Sequence, residues 1–200
     1  MTVLNIRLTG IVSILAGVSV FSGNLFHVIL NYPDAHWLML IGDILLIFAI
    51  TGLYAVQARQ SGAAGLLGYT LTVLGLLVIS AADFIVLADT HAVKSAHDVW
   101  MYLYADANLL LPGTFALLLG LLISGLCAAY ARVLPRWSGV LLALAAPVML
   151  PSMLLTGMSA LFALSLALLM TALTWMGTFL LLRSTSPALV DIANRALPDL

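Results

Sequence analysis

Long apolar runs alternate with short polar breaks along nearly the whole chain. A run of about 20 such residues crosses the roughly 30 Å hydrocarbon layer of a bilayer. Inside lipid the backbone must satisfy its own polar groups, so each run predicts a helix. Six follow, at about residues 8–31, 37–57, 64–88, 103–131, 137–155 and 158–182. The breaks carry turn chemistry: Tyr32-Pro33-Asp34, Gln60-Ser61-Gly62 and Leu134-Pro135-Arg136. Proline disfavours helix at the residue before it, and glycine opens conformations closed to other residues. The fifth run is the weakest helix, since Pro147 and Pro151 lie within it. The first run could be read as a secretory signal behind Arg7. Its apolar stretch exceeds the roughly 7–15 residues of a signal core, which favours a helix that is kept.

Composition narrows the class. Apolar residues make up 64% of the chain and charged residues 8%, against about 45–50% and 25% in a soluble domain. The pattern predicts one all-α integral membrane domain over residues 1–200, a six-helix transmembrane bundle whose first partner is the lipid bilayer. A net charge of -1 without a basic run argues against nucleic acid. Cys127 is the one cysteine, so no disulfide within the chain and no multi-cysteine metal site can form.

Charge distribution adds an orientation. Of the seven basic residues, Arg7, Arg59, Arg132, Arg136, Arg183 and Arg195 fall in the two tails and the even-numbered connections. Only Lys94 falls in an odd-numbered one. Cytoplasmic loops collect Lys and Arg, so both termini are expected inside.

The chain also matches itself. Residues 50–59 (ITGLYAVQAR) align with residues 123–132 (ISGLCAAYAR) at a constant offset of 73, with six of ten positions identical. This suggests that the second and third helices, and the fourth and fifth, are related hairpins, as parallel repeats in transporters are. Chance matching among abundant Ala, Leu and Gly is the alternative. Gly52-Leu53-Tyr54-Ala55 with Gly62, Gly65 and Gly68, and Arg132-Val133-Leu134-Pro135-Arg136-Trp137, resemble segments of a loosely defined group of largely uncharacterised bacterial multi-pass inner-membrane proteins. That resemblance implies the bacterial cytoplasmic (inner) membrane and carries over no activity and no functional residue.

Polar residues inside the spans are the candidates for function. Helix one carries a stripe of Gly10, Ser13, Gly17, Val20, Asn24, His27 and Asn31. Its inner half is small enough for close helix approach, and its outer half bears amide and imidazole. Asp43 and Asp83 fall at similar depth, roughly 9 Å below the outer boundary at 1.5 Å per residue. Intramembrane carboxylates generally face the bundle interior or a wet cavity. Asn24, His27, Asp43, Ser80 and Asp83 are therefore the expected lining of an outward-facing pocket. A purely structural helix seam is the competing account.

Above it, Asp89, His91, His97, Asp98 and Asp106 occupy the one long connection and its flank, with His36 nearby. These are ligand types for zinc, manganese or iron, although the six-residue His91–His97 spacing fits no standard zinc signature. A metal ion is thus one candidate cofactor. With His27 the one histidine expected within the membrane, the pattern argues against a transmembrane b-type haem.

The leading expectation is a non-enzymatic membrane protein that binds a cation, proton or small polar ligand, with transport as one use. An accessory subunit of a larger membrane complex, or a homo-oligomer, is the second. A metalloenzyme at the outer rim, attacking substrate with an activated water, is the third.

Overall fold

The computed structural model describes residues 3–28, 35–88, 110–154 and 159–184. All of these residues are helical apart from short turns, and no strand occurs among them. Five helices follow in order: α1 (Val3–Val28), α2 (His36–Ala88), α3 (Leu110–Ala131), α4 (Arg136–Leu154) and α5 (Ser159–Ser184). Four are long and apolar enough to cross a membrane, while Arg136–Pro151 is a shorter apolar helix.

The expected second and third helices are both present within α2, as two arms that meet at a kink. Its 53 residues combine the expected second and third spans, and a single residue, Gly62, leaves helical dihedrals at φ 58°, ψ −152°. A straight helix of that length would reach about 80 Å. Instead the arms 36–61 and 63–88 fold back on each other. Tyr54 and Tyr69 stack with ring centroids 4.8 Å apart, although they would lie about 22 Å apart along one straight helix. The connection expected around Gln60-Ser61-Gly62 thus shrinks to one glycine, in a region of backbone space that side chains make nearly inaccessible.

Neighbours in sequence pack side by side, and α5 returns to α1, so the helices close into a ring whose order is that of the chain. Leu46, Leu76, Leu173 and Met176 fill its interior. Lipid tails are as apolar as leucine, so burial alone does not drive helices together; close contact through small residues does. The seam between the second arm of α2 and α3 shows this. A Cβ on Gly68 would come 2.8 Å from the Ser124 amide nitrogen, and one on Gly75 would come 2.6 Å from the Gly113 carbonyl. Gly10 and Gly177 form an equivalent crossing between α1 and α5. Outward faces carry Leu15, Ile44, Phe48 and Leu119, which need an apolar solvent.

The possible repeat does not extend to packing. A Cβ on Gly52 would meet the side chain of Thr9 on α1, whereas its counterpart Gly125 faces Gly139 and Ala143 on the following helix. Identical residues at equivalent positions serve different neighbours.

Among the described residues, Arg7, Arg132 and Arg183 gather at one end. Arg7 Nε donates to Ser184 Oγ at 3.3 Å, and Arg183 Nη1 donates to the Val133 carbonyl at 3.1 Å. Arg132 closes α3 with φ 54°, the left-handed conformation that often ends helices.

Candidate polar cluster at the histidine end

The opposite end holds a buried group drawn from three helical segments. His36 is the first residue of α2, and Asp83 lies near its far end, 47 residues later. The hairpin at Gly62 brings them together, with His36 Nδ1 3.2 Å from Asp83 Oδ1 and side chains only 4% and 6% exposed. His27, from the last turn of α1, places its ring 4.5 Å from that of His36, tilted by 60°. Asp43 is buried close enough to Asp83 for the two carboxyls to interact electrostatically. Side chains lean toward the N-terminus of their own helix. On antiparallel arms, that lean makes Asp43 and Asp83 converge.

Helix α1 reaches this group through close contacts. A Cβ on Gly42 would come 2.8 Å from the Val20 amide nitrogen, and one on Gly23 would come 2.9 Å from the Met39 amide nitrogen. These glycines let α1 and the first arm of α2 approach within backbone contact, which brings His27 up to His36.

Three polar atoms of the cluster are buried without a hydrogen-bond partner among the described residues, His36 Nε2, Asp43 Oδ2 and Asp83 Oδ2, and so is Ser80 Oγ, one turn before Asp83. Buried polar atoms are nearly always paired, so these orphans call for a partner that the described helices do not supply.

The residues expected to form the pocket are only partly united. His27, Asp43 and Asp83 come together, and Ser80 lies one turn before Asp83. Asn24 is half-buried, and its side-chain amide donates to the Val20 carbonyl of its own helix at 2.8 Å. His36, expected at the outer rim as a metal ligand, is buried and paired with Asp83. Its expected companions Asp89, His91, His97, Asp98 and Asp106 lie outside the described residues. Among the described residues, no three His, Cys, Asp or Glu side chains are arranged to hold a metal ion.

A second polar spot sits toward the arginine end. Gln57 and Ser124 are 5% and 7% exposed, and Gln57 Oε1 and Ser124 Oγ have no hydrogen-bond partner among the described residues. Both line a small cavity with Tyr54, Tyr69, Ala128 and Met176. The sequence contained a signal for Gln57. It follows Ile50 and Leu53 at helical spacing, on the face that those side chains bury. Ser124 aligns with Thr51 in the internal match, yet Thr51 is exposed and Ser124 buried.

No family model, curated protein or solved structure matches the chain.

Proposed function

We propose that this is a non-enzymatic multi-pass protein of the bacterial inner membrane whose His27–His36–Asp83–Asp43 cluster is an outward-facing proton-binding site. The observation that carries this reading is the buried 3.2 Å pair of His36 and Asp83, with Asp43 and the His27 ring against it. Among the ligands first considered, the proton needs no cavity and no third metal ligand, and the group offers several orphan atoms to receive it. A site that binds protons within the membrane can couple their binding to movement of the hairpin that forms it.

The orientation rests on the arginines. With Arg7, Arg132 and Arg183 gathered at one end, the rule that basic residues remain inside puts the histidine end outside. After Cys127→Ala, a cysteine at position 90 or 95 is expected to react with an impermeant maleimide on whole cells. A cysteine at position 61 is expected to react only after lysis. Labelling of position 61 on intact cells would reverse the orientation.

The proton site makes a separate prediction. In lipid nanodiscs, acidification should change the histidine NMR signals and the carboxyl infrared bands together, as one coupled set. Asp83→Asn and Asp43→Asn should each remove most of that shared change. Signals that change separately, with both variants behaving like the wild type, would reduce the cluster to a structural clamp.

A further inference from the structure

The cavity at the arginine end does not belong to the histidine cluster. Asp43 and Gln57 are 14 residues apart on one arm, and Tyr69 and Asp83 are equally far apart on the other. That separation is about 21 Å of helix. Leu46 and Leu76, 2% and 1% exposed, stand between the two places. The cavity must therefore be explained by its own residues.

We propose that this cavity is a binding site for one ordered water molecule, which donates to Gln57 Oε1, accepts from the Ser124 hydroxyl, and so links the first arm of α2 to α3. About 10 Å³ is open to the centre of a water molecule. That is about the space one water needs. The two orphan atoms supply complementary chemistry. An amide oxygen only accepts, whereas a hydroxyl can donate. Neither atom finds a hydrogen-bond partner on the described helices, so a molecule that can both donate and accept satisfies the pair.

A cation fits the cavity less well. The two orphan oxygens are uncharged, and Arg59 lies two residues beyond Gln57. Arg132 lies one turn beyond Ala128. An apolar occupant would leave both polar atoms buried and unmatched.

The site does not depend on protonation at the other end of the bundle. The α2–α3 seam brings Gly68 against Ser124 at the same level. Water there ties the first arm of α2 to the helix that the second arm already contacts at Gly68, and holds Gln57 facing inward.

Pulsed X-ray radiolysis of the full-length protein in nanodiscs tests this. Hydroxyl radicals act within a short distance of the water that generates them, and methionine sulfur takes up oxygen to give the sulfoxide. Met176 lines the cavity and is only 1% exposed, so it should be modified only by water inside. The expected result is dose-dependent Met176 sulfoxide, with isotope-labelled water supplying the oxygen. Gln57→Leu combined with Ser124→Ala should lose most of that signal, as should Ala128→Val, which fills the cavity from the α3 side. An unmodified Met176 in the wild-type protein overturns the proposal without need of any variant. Equal modification in wild type and in whichever cavity variant folds overturns it as well.

Discussion

Asp83→Ala is expected to lower the unfolding free energy by about 1.5–3 kcal/mol, the range for hydrogen bonds that involve a charged group. Removing one member of a buried ion pair can cost about 3–5 kcal/mol when the other stays charged. Histidine escapes that penalty by releasing its proton, so the lower range applies. Polar contacts between transmembrane helices often contribute less, about 0.6 kcal/mol on average, because the unfolded chain in the membrane finds other partners. The His36–Asp83 pair should exceed that average, since both side chains are shielded and the pair closes a hairpin over 47 residues. Asp83→Asn keeps an acceptor oxygen and should lose less than Asp83→Ala. A double-mutant cycle with His36→Ala, read by reversible unfolding in mixed micelles, should show strong non-additivity. If the two losses add within about 0.3–0.5 kcal/mol, the pair contributes nothing as a pair.

Gly75→Ala is expected to be at least as damaging, by a different mechanism. Its new Cβ would lie 2.6 Å from the Gly113 carbonyl oxygen and 2.7 Å from Leu117 Cα, both backbone atoms of α3. Backbone cannot swing aside as a side chain can, so the helices must separate. Overpacking typically costs about 1–3 kcal/mol. The upper part of that range is expected here, because separation also loosens the contacts of Gly68 and Gly120 on the same seam. Gly52→Ala provides the contrast. The atoms it meets belong to the Thr9 side chain, so Thr9→Ala should recover much of the loss. Leu117→Ala should recover none of the loss from Gly75→Ala. Equal rescue in both pairs would show that backbone approach does not set the α2–α3 distance.

The physical difference between these two seams explains what could be read in advance. The apolar runs marked the helical segments to within a few residues. Whether about 20 residues prefer lipid to water depends on their own side chains and on the bilayer thickness, with no knowledge of neighbours. The gathering of Arg7, Arg132 and Arg183 at one end was visible for the same reason, since each lies at the end of an apolar run. The small stripe on α1 was legible too, and Gly10 and Gly17 do sit against α5.

Partnership was less accessible. Most helices here are apolar on every face, which removes the amphipathic signal that says which side turns inward. Asp43 and Asp83 had to turn inward, because lipid would not solvate them. Spacing of seven put His36 on the helix face of Asp43, but nothing local paired it with Asp83. Its position beside a proline-bearing break suggested the outer rim, and only the one-residue turn at Gly62 carries Asp83 back to it.

Gln57 and Ser124 show the same limit from the other side. One looked like a helix end and the other like half of a repeat, until packing put both on one cavity. The sequence by itself determined the helical class and the apolar spans long enough to cross a membrane, because these follow from transfer free energies summed along the chain. Tertiary structure decided which polar atoms meet, because close approach at Gly42, Gly68 and Gly75 sets the rotation and spacing of each helix, and those contacts join residues far apart in the chain.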